Sequence, residues 1–198
     1  MSTSDRNRWN EKYAHRSVAT IVDADEWLIE AHDTITQNAP DLTATRRAVD
    51  LACGLGHNSV WLAQNGWDVD GVDISAEGLD LAKRLATTVD AVVNWVEADL
   101  DTWRPDPNSY DLAIVFRFLD RVTVPQIVNA GLRPGGWLIY ETFTASQLDR
   151  ADSHIRNPAF TLQPDELPGL FSDYIFYWFR EATLEDRTVQ RILARRRW

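Results

Sequence analysis

The run Ala48-Val49-Asp50-Leu51-Ala52-Cys53-Gly54-Leu55-Gly56-His57-Asn58 constrains this chain more than any other feature. An apolar strand pattern runs into a loop with two glycines, and a helical pattern begins at once. Glycine supplies the positive φ of a sharp strand-to-helix turn and lets a ligand approach the backbone closely. The helix N-terminus behind the loop offers unpaired N–H groups. Asp73 stands 19 residues after Gly54, at the end of the next apolar run. A carboxylate there accepts from both hydroxyls of a ribose, as in nucleoside-containing cofactors. Two glycines alone are a weak signal. With an acid at that distance they point to a nucleoside site.

The rhythm of the chain agrees. Short apolar runs alternate with amphipathic stretches, the pattern of βαβ units on a parallel sheet. Strands are expected at 47–51, 68–72, 91–96, 110–116 and 137–143, then at 174–180 and 188–195. Ser4 is placed to cap a first helix with Trp9 and Tyr13 on one face, and a second runs through Glu26–His32 and fades before Pro40. A helix over 58–65 ends at Gly66 in a left-handed cap, and Ser75 caps one carrying Leu79, Ala82 and Leu85. A short helix has Pro125 in its first turn. A short polar loop joins the last two strands, which should therefore pair antiparallel. The expected fold is α/β: a Rossmann-like doubly wound sheet of five parallel strands plus a C-terminal antiparallel hairpin, with helices on both faces. Without repeats or linker-like stretches, residues 1–198 read as one domain. Its parts are an N-terminal helical lid region at 1–44, a cofactor-binding core at 45–145, and a substrate-side segment with the hairpin at 146–198.

Charge and composition narrow the function. The formal charge is −10, from 30 acidic and 20 basic residues, so most of the surface repels a phosphate backbone. Nucleic acid is not an expected partner, and a small-molecule substrate is. The basic end Arg195-Arg196-Arg197 reads as a solvated strand end. No apolar run reaches the ~18 residues of a membrane span. The polar start, Met1–Asn10, lacks the apolar core of a signal peptide, and the single Cys53 suits a reducing cytoplasm. Four histidines without ligand spacing give no metal site. A pyrophosphate is disfavoured near Asp50, and Ser59 replaces the third glycine of a dinucleotide fingerprint. The cofactor that fits carries ribose and adenine without phosphate, and an ammonium and a sulfonium that suit an acidic pocket.

Asp50-x-Ala52-x-Gly54-x-Gly56, Val72-Asp73-Ile74-Ser75, Glu97-Ala98-Asp99-Leu100, Tyr110-Asp111-Leu112 and Leu132-Arg133-Pro134-Gly135-Gly136 resemble, in order and spacing, the motifs of class I S-adenosylmethionine-dependent methyltransferases. The opening Trp9-Asn10-Glu11-Lys12-Tyr13, with Phe116–Arg121 and Tyr140–Phe143, resembles the small bacterial tellurite-resistance branch. The resemblance implies S-adenosyl-L-methionine as cofactor. It places Gly54 and Gly56 at the methionine part, Asp50 near its ammonium, and Asp73 on the ribose. It places Asp99 on the adenine amino group, Ile74 and Leu100 on either side of the ring, and Phe116 below the methionine chain. Trp9 and Tyr13 become part of a lid. Ala52 departs from the family's usual glycine by one methyl.

Methyl transfer from a sulfonium is an in-line displacement whose leaving group needs no proton, so alignment and exclusion of water dominate. Asp120, Tyr140 and Glu141 are candidate bases at strand ends, none singled out by pattern, and no catalytic residue is assigned. Cys53 reads as a small turn residue, His57 as loop support or solvent-facing, and Arg117 and Arg121 as partners of nearby acids or of an acidic substrate. Alternatives are a methyltransferase of protein or ribosomal RNA, a non-catalytic cofactor-binding subunit, and a nicotinamide-dependent dehydrogenase. The last lacks a Tyr-Lys pair or a second domain.

Overall fold

The computed structural model describes residues 3–18, 23–39 and 46–198. Two helices come first, α1 (Thr3–Ala14) and α2 (Glu26–Asn38). The alternating part follows as β1 (Arg46–Leu51), α3 (His57–Gln64), β2 (Trp67–Asp73), α4 (Ala76–Thr88), β3 (Asn94–Glu97), β4 (Tyr110–Phe116), α5 (Thr123–Gly131) and β5 (Leu132–Phe143). A short α6 (Glu166–Gly169) precedes the hairpin of β6 (Tyr174–Thr183) and β7 (Thr188–Arg196).

The seven strands form one sheet in the order β3-β2-β1-β4-β5-β7-β6. The first five run parallel, and β7 pairs antiparallel with both β5 and β6. Strand β4 is buried at every residue, as a parallel strand covered on both faces must be. Trp27, Leu28, Ala31 and Ile35 of α2 join Leu62 of α3 in one core cluster; Val124, Ile127 and Val128 of α5 join Leu167 and Phe171 in the other. Chain direction across the sheet reverses between β1 and β4, which opens a crevice at their carboxyl ends.

Ser75 caps α4 as expected, its Oγ accepting from Gly78 N–H at 3.1 Å, and Gly66 is left-handed at φ 83°. Other expectations shift. Ser4 lies inside the first turn of α1 rather than capping it, and Pro40 falls outside the described residues. Residues 91–93 are not strand, so β3 has only four residues. The Leu132–Gly136 turn belongs to β5, beside an irregularity in the β4 pairing. The arginine end is not merely solvated. Arg195 Nε donates to Gly135 O at 2.9 Å and Arg196 Nη1 to Leu132 O, while the Arg195 guanidinium stacks on Trp137 and Trp198. Antiparallel pairing with β5 brings Arg195 beside Trp137, a neighbour 58 residues away in sequence.

Helix α1 stands apart, because none of its residues is buried. It touches the body through α4, by Asn10, Tyr13 and the stacked pair Trp9–Tyr13, whose ring centroids are 5.6 Å apart.

Candidate functional site

The loop from β1 to α3 lies at the mouth of the crevice. Ala52, Gly54 and Gly56 all take positive φ, at 58°, 56° and 73°. Ala52 therefore carries a Cβ where a left-handed residue is best without one, a strain of order 1 kcal/mol. Cys53 N–H bonds Val72 O at 3.1 Å and Gly56 N–H bonds Cys53 O at 3.0 Å, which ties the loop to β2. Burial pushes the Cys53 thiol well up, so it serves as a small filler of the turn.

Asp73 closes the loop from the next strand. Its Oδ2 accepts from Gly54 N–H and its Oδ1 from Ser75 N–H, both at 2.8 Å. A carboxylate has about four acceptor positions, so capacity remains for a ligand. Burial raises its pKa against the pull of those backbone donors. Tyr13 covers the same spot. A Cβ on Gly54 would come within 2.8 Å of Tyr13 Oη, and one on Gly78 within 2.9 Å of its ring. Asn10 Oδ1 accepts from Ser75 Oγ at 2.7 Å. Tyr13, Gly54, Asp73 and Ser75 are thus one cluster, assembled from three separate parts of the chain.

The remaining predicted positions divide. Asp50 lies beneath the loop, 2% exposed, accepting from Ser59 Oγ at 2.6 Å; burial pushes its pKa up to about 7. Ile74 and Leu100 are almost fully buried, and Leu100 belongs to the core cluster of α5. Asp99 is half-buried after β3, its Oδ1 accepting from Asp101 N–H at 2.9 Å in a tight turn. Phe116 ends β4 with its ring in the α2-side core. Gly56 also has a packing reason to be glycine. A Cβ there would stand 2.4 Å from Trp95 Cη2 and 2.7 Å from Ala82 Cβ. Trp95 fills that space and also covers Gly71, so a tryptophan of β3 occupies the side-chain position at Gly56.

A charged network stands beside the site, of which the sequence indicates only Arg117 as a partner of acids and His57 as loop support. Asp25, at the start of α2, accepts from Arg117 Nη1 at 2.5 Å and Nη2 at 2.9 Å, from Asn58 Nδ2 at 2.9 Å and from Arg187 Nη2 at 3.2 Å. His57 Nε2 lies 3.2 Å from the same carboxylate. Burial alone would raise the Asp25 pKa, but hydrogen bonds from His57 and Arg117 outweigh it and hold the carboxyl well below its usual range. Behind it, fully buried Glu141 pairs with Arg187 at 3.0 Å and Arg191 at 2.7 Å. Arg117, directly after β4, is itself left-handed at φ 54°. On the outer side the network lines a cavity of about 580 Å³ whose other walls include Asp23, Glu26, Glu185 and Asp186. Asp25 carried no sequence signal, because its partners come from 32 to 162 residues away.

Residues 48–136 match the family model described as a methyltransferase domain. "Hemagglutinin 1" of Eikenella corrodens is 32% identical over 165 residues, 78% of this chain and 52% of that protein. The "Ubiquinone biosynthesis O-methyltransferase" of Paraburkholderia phymatum is 33% identical over 102 residues, 49% of this chain and 44% of that protein. The chain thus spans about half the length of these curated relatives. Among solved structures, the magnesium protoporphyrin IX methyltransferase of Synechocystis PCC 6803 superposes with a TM-score of 0.70 at 15% identity, covering 98% of both chains. TehB from Haemophilus influenzae does so at 0.65 and 19%, covering 97% of this chain and 67% of that one. Residues 48–136 thus match the methyltransferase-domain family, and the fold is that of S-adenosylmethionine-dependent methyltransferases.

Beside this domain the expected base candidates all have structural work. Asp120 Oδ1 accepts from Val122 and Thr123 N–H at the start of α5. Tyr140 Oη donates to Phe118 O at 3.0 Å, and burial pushes its pKa far up. Glu141 is consumed by its arginines. Arg121 pairs with Glu166 at 2.5 Å, and Arg117 with Asp25. No helix among the described residues is long and apolar enough to cross a membrane.

Proposed function

We propose that the chain binds S-adenosyl-L-methionine between the β1–α3 loop and α1, and transfers its methyl group in line to a small-molecule acceptor. The observation that carries this reading is the cluster of Asp73, Gly54 and Tyr13. It pairs a carboxylate having acceptor capacity to spare with the bare backbone of Gly54 under a polar, unburied helix. The donor set fits a cofactor with ribose hydroxyls and no phosphate, because Asp73 and Asp50 line the place where a pyrophosphate would be repelled. When bound, the cofactor supplies an electrophilic methyl on a positive sulfur.

The chain's own residues then bind, orient and exclude water. Asp73 accepts from the ribose hydroxyls, Asp99 from the adenine amino group, and the backbone at Gly54 receives the methionine part. Asp50 acts from beneath the loop as the nearest acid to the ammonium. Phe116 forms part of the floor at the end of β4, and Ile74 and Leu100 back the adenine region from the core. Trp9 and Tyr13 close over the top and keep water from the reacting carbon. Asp120, Tyr140 and Glu141 are engaged elsewhere, so an acceptor that arrives already nucleophilic suits this site best. The acidic surface and the curated O-methyltransferase relatives favour a small molecule over nucleic acid. A single domain working in the cytoplasm is the matching setting for its one buried thiol.

Calorimetry tests the reading. S-adenosylmethionine or S-adenosylhomocysteine should bind and NAD and NADP should not. Label from methyl-labelled cofactor should then appear in a product identified by mass from a metabolite extract. NAD binding without any response to S-adenosylmethionine would overturn it.

A further inference from the structure

The sheet ends on β6, and among the described residues no strand pairs with the outer edge of that strand. Its residues, Tyr174–Thr183, therefore present a row of backbone N–H and C=O groups without a ladder partner. Edges of this kind are usually blunted by lysine, by proline, by shortness or by a bulge. Only the bulge is present here, between Phe176 and Trp178. The strand opens instead with the apolar run Tyr174-Ile175-Phe176-Tyr177-Trp178-Phe179. Ile175, Tyr177, Trp178 and Phe179 are 38–44% exposed, and no other helix or strand among the described residues exposes more than one large apolar side chain.

The exposed side chains lie on both faces of the edge. Trp178 stands opposite Leu193, and the Tyr177 ring lies 4.6 Å from that of Trp137; Leu193 and Trp137 both belong to the core cluster on the α2 side. Phe179 stands opposite Ile192, which belongs to the cluster on the α5 side. An element packed on one face would leave the other in water, whereas a strand added to the edge meets both. The added strand also takes up the free N–H and C=O groups.

Charge selects the strand that fits. Arg180 and Glu181 are the only charged residues of β6, so this edge is neutral in a chain of net charge −10. Two copies repel over most of their surfaces but not here. Opposite residues of an antiparallel pair share a face, so a two-fold axis between two copies of β6 is centred on a single residue. Centring on Arg180 or Glu181 sets like charges against each other, and centring on Trp178 puts the bulge beside the axis. Centring on Phe179 brings the two Phe179 rings together and sets each Trp178 beside Arg180 of the other copy. Arg180 already lies 5.6 Å from the ring of its own Trp178, so this juxtaposition is a cation over an indole.

We propose that two copies of this chain associate by antiparallel pairing of their β6 edges about a two-fold axis at Phe179, continuing one sheet through both. Four large side chains of about 150–250 Å² each, at roughly 40% exposure, contribute about 250–400 Å² of apolar surface per copy. Apolar atoms make up a little over half of an ordinary interface, so the contact covers about 450–700 Å² per copy, at the lower end of specific complexes. The dimer is accordingly reversible, with a dissociation constant in the micromolar range. Phe179 lies outside the glycine loop and outside the cavity of the Asp25 network, so the contact can be altered without touching the candidate site.

Sedimentation velocity of the full chain from about 1 to 200 μM should show a shift from monomer to dimer. Phe179→Lys and Phe179→Glu each set like charges opposite one another across the axis, and each should raise the dissociation constant at least about tenfold. Mixed in equal amounts, the two variants should dimerise again, because opposite charges now meet. Circular dichroism of each dilute variant should match that of the dilute parent. Hydrogen exchange on the unaltered chain needs no substitution: β6 amides should gain protection at high concentration, while those of β3, at the other end of the sheet, should not. Monomers throughout the range would overturn the proposal and leave the edge to an extended segment of a different protein. A dimer untouched by both substitutions, or β6 protection that ignores concentration, would overturn it as well, since the contact would then lie on another face. Mixing that restores nothing would rule out the axis at Phe179.

Discussion

Gly54 and Asp73, 19 residues apart, are joined by a single hydrogen bond: the Gly54 N–H donates to Asp73 Oδ2 at 2.8 Å. The same carboxylate holds Ser75 N–H through its other oxygen. One acid thus sets the shape of the glycine loop and the entry to α4 before any ligand arrives. Its spacing from Gly54 is readable in the sequence, but its structural duty is not.

Asp73→Ala should show both duties. Two charge-assisted ribose bonds of ~1.5–3 kcal/mol each are lost, so cofactor affinity should fall at least about tenfold. Two buried N–H groups also lose their acceptor, so the melting temperature should fall even without cofactor. Asp73→Asn keeps one acceptor oxygen and should lie between. Calorimetry and thermal denaturation measure the two effects separately. Unchanged affinity in a folded Asp73→Ala variant would exclude the ribose role.

Two substitutions in one loop should have opposite signs. Ala52→Gly relieves a Cβ held at φ 58° and should raise stability by about 0.5–1 kcal/mol after the entropy cost of glycine. Gly56→Ala places a Cβ 2.4 Å from Trp95 and should destabilise by about 2–4 kcal/mol. Adding Trp95→Leu to Gly56→Ala should recover part of that loss, giving a coupling of about 1 kcal/mol in a double-mutant cycle. Strict additivity would show that Trp95 is not what excludes a side chain at 56.

Asp50 predicts a pH dependence. Its folded pKa, pushed up to about 7 by burial, exceeds the ordinary unfolded value of about 3.9. The folded state therefore binds the extra proton between these limits, and stability falls as pH rises from about 4 to about 7. Asp50→Asn keeps an acceptor for Ser59 Oγ and carries no charge to penalise. Its melting temperature relative to the parent should rise across that window and level off above it. A difference that is flat from pH 4 to 8 would mean that Asp50 does not titrate there.

The sequence alone determined the sheet, the glycine loop and the acid at its far end. These are local facts: runs of apolar residues choose strand or helix by their period, Ser75 caps the helix that follows it, and positive φ calls for glycine within a few residues. The parallel sheet followed from the alternation of short apolar runs with amphipathic stretches, and the terminal hairpin from the short loop between the last two strands. Tertiary structure decided what depends on distant neighbours. Packing of β3 on β2 sets Trp95 over Gly56, antiparallel β7 lays Arg195 on Trp137, and Tyr13 comes to rest on Gly54 only because α1 docks on α4. Asp25 is the clearest case. Nothing near it in the chain marks it, since its hydrogen bonds come from α3, the end of β4 and the turn before β7, and only the closed sheet brings those three together.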